Sequence, residues 1–172
     1  KEDLSFNNLM FAYNAHLVLP QHLVMDRAKE SSLGVGKIGT TGKGMGPVYT
    51  DHYARIGLIV NDMLNPDVLR AKLKRNLEDK VKLLKLVDLD IIKQIMLDDE
   101  LENGEFFHPE KIFDIDAIVD RYRKYGVIFK DMIRDTDTYV REAIGKKNVL
   151  LEGAQGLLLS IDRGIHPGVT SS

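Results

Sequence analysis

Six glycines crowd residues 34–47, at Gly34, Gly36, Gly39, Gly42, Gly44 and Gly46. Glycine gives up more backbone freedom on ordering than any other residue and enters the left-handed region without a Cβ clash. Glycines at this density are incompatible with a stable helix or strand and predict a loop with unusual backbone angles. Pro47 suits the first turn of a helix, expected to run to about Arg55. Within Ile38–Pro47, alternating glycines let successive peptide N–H groups converge on one point and form an anion-binding nest. Thr40 and Thr41 add hydroxyls, Lys43 adds a cation, and the following helix start adds its positive dipole end. That combination favours a phosphate. It is not the nucleotide P-loop, because Lys43 is followed by Gly44 rather than Ser or Thr, and it does not match the dinucleotide fingerprint. A flexible linker between domains fits the bare spacing as well.

The 172 residues accommodate one domain with a real core, or one with an appendage. Basic and acidic side chains nearly balance, 24 against 26, which argues against nonspecific nucleic-acid binding. Without cysteine there is no disulfide framework and no thiolate zinc site. No apolar run approaches the roughly 20 residues that span a bilayer, and the first residues lack a signal-peptide layout. The expectation is a cytoplasmic protein with no membrane partner.

Two different periods run along the chain. Ala15–Leu19 reads as a short buried strand stopped by Pro20, and Gln21–Glu30 as a short helix. Asn65-Pro66 opens a helix with apolar positions at Leu69, Leu73, Leu77, Val81 and Leu84. Helical stretches are expected over about 89–96, over about 109–134 (Ile112, Ile115, Val119, Tyr122, Phe129 and Ile133 on one side) and near 138–144, ending at Gly145. These stripes are core packing. The run Asn148-Val149-Leu150-Leu151 is too short for a helix and leads into Glu152-Gly153-Ala154-Gln155-Gly156, a strand emptying into a glycine turn. Two such strands make only a marginal sheet alone. The expected fold class is therefore α/β, with this segment mostly helical and its few short strands belonging to a larger sheet.

Polar groups gather at Tyr49-Thr50-Asp51-His52-Tyr53, just past the nest. Arg55 presents a fork-shaped donor suited to phosphate, or equally a surface cation paired with an acid. His52 fits a general base or a structural histidine. Gln155 carries an acceptor and two donors matched to the edge of a base, and Thr170, Ser171 and Ser172 place three hydroxyls together.

Taken in order, these segments resemble the adenylosuccinate synthetases. The first is Gly39-Thr40-Thr41-Gly42-Lys43-Gly44-Met45-Gly46-Pro47, with Tyr49, Arg55 and Gly57 behind it. The second is Glu152-Gly153-Ala154-Gln155-Gly156, continued by Leu158, Leu159, Ile161, Asp162, Gly164, Pro167 and Val169-Thr170-Ser171-Ser172. Ala15–Pro20 is also similar, whereas residues 60–147 match only as a helical region. Members of that family use GTP to phosphorylate the 6-oxygen of IMP and let L-aspartate displace the phosphate; they are magnesium-dependent homodimers. The resemblance implies that Thr41 binds the IMP 5′-phosphate and Thr170 helps hold it. It implies that Gln155 contacts the reacting side of the purine, and that Arg55 reaches the IMP site of the neighbouring subunit. The family's glycine-rich Gly-Asp-Glu-Gly-Lys-Gly-Lys run does not occur here. The catalytic aspartate and the main GTP and Mg2+ sites are therefore expected outside residues 1–172, with no catalytic or metal-binding residue within them, and the segment is expected to be inactive alone. His52 stands where the family usually has lysine, Ser160 where it has an acid, His166 where it has an aromatic, and Gly168 replaces a bulky residue. The implied division is 1–59 for the phosphate loop and dimer-facing helix, 60–147 for a helical subdomain, and 148–172 for a strand and substrate loop. Two other readings remain open, a standalone nucleotide-binding module and a helical interaction domain whose glycine loop is a linker.

Overall fold

The computed structural model describes residues 8–33, 39, 41–84, 93 and 113–170, the side chains of residues 79, 83 and 84 excepted. Its elements in chain order are β1 (Phe11–Ala12), α1 (Pro20–Ser32), α2 (Met45–Tyr53), a 3₁₀ turn (Val60–Leu64), α3 (Pro66–Leu84), α4 (Ile115–Phe129), β2 (Ile133–Arg134), α5 (Thr136–Ala143) and a second 3₁₀ turn (Leu157–Leu159). Helices dominate, as expected. The expected stretch at 89–96 lies outside the described residues, apart from residue 93.

Local sequence sets the helix starts. Pro20 occupies the first position of α1, where its missing N–H costs nothing. His22, two residues further on, accepts the Leu19 backbone N–H on Nδ1 at 3.0 Å, the return half of a capping box. Asp114 and Asp135 cap α4 and α5, accepting the N–H groups of Ala117 and Thr138 at 3.0 and 3.1 Å. Asn65 caps α3 through the N–H groups of Asp67 and Val68.

The α3 stripe behaves as its period predicts: Leu69, Leu73 and Leu77 are buried, with Val81 packed against the same core. Opposite them lie Ile118 and Val119 of α4, Met63 of the 3₁₀ turn, and Leu17, Leu19, Val24 and Leu58 from the first part of the chain. One core thus joins residues on both sides of position 59. Gly126 lets α4 approach the 3₁₀ turn closely, since a Cβ there would run into the backbone of Met63.

The strands differ from expectation. The only sheet among the described residues is a parallel pair, Phe11 opposite Ile133 and Ala12 opposite Arg134. Ile133 therefore belongs to β2 rather than to the preceding helix, which ends at Phe129. Ala15–Leu19 is not a strand. It makes one antiparallel bridge, His16 to Ile59, and Leu17 N–H donates to the Leu58 carbonyl at 2.9 Å. Asn148–Leu151 is no strand either, and Leu150 and Leu151 are 89% and 82% exposed. A strand holds its shape through ladder bonds to a neighbour, and no described segment lies alongside this one to supply them. The core takes no residue from 148–170 among those described. No described helix is long and apolar enough to cross a membrane.

Candidate functional site

The glycine loop does adopt left-handed geometry, with φ of +80°, +65° and +80° at Gly39, Gly42 and Gly44. Gly46 instead lies inside α2, and α2 begins two residues before Pro47. The loop is moulded on α1. Arg27 Nε donates to the Gly42 carbonyl at 3.1 Å, and the Gly44 N–H donates to Asp26 Oδ2 at 2.9 Å. A Cβ at Gly44 would meet the His22 backbone at 3.0 Å, so only glycine lets the loop lie this close to α1. The Gly39 N–H also donates to a carboxylate, Glu30 Oε1, at 2.6 Å. Two of the nest's amides thus already face acids of α1, and the exposed Thr41 sits between them.

At the far end of α2, Arg55 is exposed and has φ of +62°. Its N–H donates to the His52 carbonyl at 2.9 Å, and the Ile56 N–H donates to the Asp51 carbonyl at 3.0 Å. This pair of bonds is the Schellman closure of a helix C-terminus, with arginine at the position where glycine is favoured. Thr41 and Arg55 therefore sit at opposite ends of α2, a nine-residue helix about 13 Å long. They are not gathered around one point within a single chain.

A buried polar cluster, which the sequence pattern does not single out, lies at the Arg55 end of α2. The Asp51 carboxylate accepts from His22 Nε2 at 2.8 Å, Asn76 Nδ2 at 2.6 Å and Lys80 Nζ at 2.6 Å. Asn76 Nδ2 also donates to the Ile56 carbonyl at 3.0 Å, and Gln21 Nε2 donates to Asn76 Oδ1 at 3.0 Å. Because Nδ1 of His22 is occupied by the Leu19 N–H, its proton sits on Nε2 and points at Asp51. Burial drives the His22 pKa below its ordinary value, against the pull of Asp51. Burial also works to raise the Asp51 carboxyl, but the hydrogen bonds from His22, Lys80 and Asn76 outweigh it and hold the group below the usual carboxylate range. Gln21 Oε1 is the single buried side-chain atom without a partner among the described residues. One sequence signal of this cluster existed: Asn76 and Lys80 adjoin the apolar stripe of α3 at Leu73 and Leu77, where solvated side chains would not be expected.

His52, exposed on α2, lies against His16, their ring centroids 4.3 Å apart; Tyr49 and Tyr53 flank the pair. Burial, and then the nearby charge of His52, lower the His16 pKa. Gln155 is exposed in a bend, and Thr170 is half-buried with its N–H donating to the Leu159 carbonyl at 2.8 Å. The turn around it is held by Gly164 N–H on the Ser160 carbonyl and by the His166 ring on the Ile161 carbonyl. The described groups of His, Asp and Glu include none of three or more arranged to hold a metal.

The family model for adenylosuccinate synthetase matches residues 1–172. Among similar proteins, the adenylosuccinate synthetase of Chlorobium phaeobacteroides is 42% identical over 165 residues, 95% of this chain and 33% of that protein. That of Bacillus subtilis is 38% identical over 173 residues, 100% of this chain and 36% of that protein. The structure of fully ligated adenylosuccinate synthetase from Plasmodium falciparum superposes with a TM-score of 0.68 at 27% identity, covering 97% of this chain and 34% of that one. The chain spans about a third of the length of the relatives it matches. On a family match over its whole length, the chain belongs to the adenylosuccinate synthetase family.

Proposed function

We propose that residues 1–172 form the IMP-gripping and partner-facing part of a GTP-dependent adenylosuccinate synthetase, which joins IMP to L-aspartate. The observation that carries this reading is the loop at 39–44: three left-handed glycines, an exposed threonine and a helix start in succession, in a chain of this family. With the amides of Gly39 and Gly44 turned toward Glu30 and Asp26, the tip at Thr41 and the first turn of α2 are the donors offered to the IMP 5′-phosphate. Thr170 closes on the same phosphate from the loop at 157–170, and Gln155 meets the purine. Arg55, a helix length away from Thr41, serves the site of a second copy in a homodimer, where a planar fork suits a phosphate. Residues 1–59 then carry the phosphate loop and the copy-facing helix, 60–147 the scaffold, and 148–172 the substrate loop. Positioning and charge stabilisation dominate phosphoryl transfer, which is the work such residues do. GTP and Mg2+ act mainly at residues outside this segment, and the reaction belongs to the cytoplasm.

Calorimetric titration of the full-length protein carrying this segment, with IMP and with inosine, tests the reading. IMP should bind at least about tenfold more tightly than inosine, since hydrogen bonds to a charged group contribute about 1.5–3 kcal/mol each. Equal affinities would refute a phosphate grip.

A further inference from the structure

Arg55 carries an exposed side chain on a backbone that is fixed on both sides. Before it, the Asp51 carbonyl accepts the N–H groups of Ile56 and Gly57, at 3.0 and 3.1 Å. After it, the Ile56 carbonyl is held by Asn76 Nδ2. The same Asn76 nitrogen grips the Asp51 carboxylate, which His22 and Lys80 also hold. Gly57 completes the clamp, because a Cβ there would press on the His52 backbone at 3.3 Å. Left-handed backbone at a non-glycine residue persists only where its surroundings over-determine it. Here the surroundings are a network of buried side chains drawn from α1, α2 and α3, converging on the two residues that bracket one exposed arginine.

We propose that His22, Asp51, Asn76 and Lys80 are positioning residues for Arg55. By locking the peptides at 51 and 56 they fix the direction in which the guanidinium leaves the end of α2. Asn76 is the hinge of the device, since it joins the carboxylate of Asp51 to the carbonyl beyond Arg55. The proposal rests on the reading that Arg55 serves the IMP site of a second copy.

A double-mutant cycle on the full-length protein tests it, with IMP affinity as the readout. Arg55→Ala, Asn76→Ala and the double variant are compared, and circular dichroism confirms that each is folded. Asn76→Ser, which keeps one donor in place, enters the same cycle if Asn76→Ala does not fold. Arg55→Ala should weaken IMP binding about tenfold. Asn76→Ala should weaken it about fivefold with Arg55 present and less than about twofold without it, the non-additivity of groups that act together. A purely structural loss would be the same in both backgrounds, so additivity overturns the positioning role while leaving the Arg55 reading intact. An Arg55→Ala protein that binds IMP like the parent overturns both.

Discussion

Lys80 Nζ lies 2.6 Å from Asp51 Oδ1, with 6% and 5% of the two side chains exposed. Taking a carboxylate and an ammonium out of water costs several kcal/mol for each ion, and their attraction compensates only when the remaining hydrogen bonds are made. His22 and Asn76 make them here. Removing one partner leaves the other charge buried and uncompensated. Lys80→Ala should therefore lower the unfolding free energy by about 3–5 kcal/mol in denaturant titrations. A loss below about 1 kcal/mol would place this pair with ordinary surface ion pairs.

Arg55→Gly should act in opposite directions on stability and on binding. Left-handed backbone costs an L-residue roughly 1–2 kcal/mol, and glycine adopts it freely. The Schellman bonds from Arg55 and Ile56 need no side chain. Denaturant unfolding should show a gain of about 1 kcal/mol, while IMP affinity in the full-length protein falls. A loss of stability would mean that the arginine side chain makes contacts that outweigh its backbone strain.

Stability should decline as the pH drops below about 6.5. His22 ordinarily titrates at 6.5, and burial lowers that value in the folded chain. Below 6.5 the unfolded chain takes up a proton that the folded chain refuses, so the unfolded state gains as pH falls. Asp51, held below the usual carboxylate range, has the same sign in a more acidic window. Its contribution is complete above its unfolded pKa and is lost as the pH falls through the folded one. Urea midpoints compared at pH 7.5 and 5.5 should drop, and His22→Gln should reduce the drop. His16, also lowered, keeps the residual change from reaching zero. An undiminished drop in His22→Gln would assign the effect elsewhere.

The helices were legible in the sequence because their signals are local. Leu69, Leu73 and Leu77 state the buried face of α3 by spacing alone, and Pro66 marks its start, whereas Pro20, read as the stop of a strand, is the first residue of α1. The left-handed backbone of the glycine loop was legible for the same reason, at Gly39, Gly42 and Gly44. The strands were not. Phe11–Ala12 pairs with Ile133–Arg134 across more than a hundred residues, and two-residue strands carry no period to read. Asn148–Leu151 has strand composition, but a ladder needs a partner that composition does not provide. In the candidate site, Thr41 and Arg55 were visible as residue types near glycines. The buried cluster left only a trace, Asn76 and Lys80 beside the apolar stripe of α3, because its partners His22 and Asp51 meet them only when α1, α2 and α3 pack together. The engagement of the Gly39 and Gly44 amides by Glu30 and Asp26 is likewise a tertiary fact.

The proposed IMP grip needs Thr41 and Thr170 to hold one phosphate. The most direct measurement is a cycle of IMP affinities for the full-length protein with Thr41→Ala, Thr170→Ala and both. Each single variant should weaken IMP binding about tenfold and leave inosine binding unchanged, with the double variant losing less than the product of the two. Unchanged IMP affinity in either single variant would rule out a shared grip.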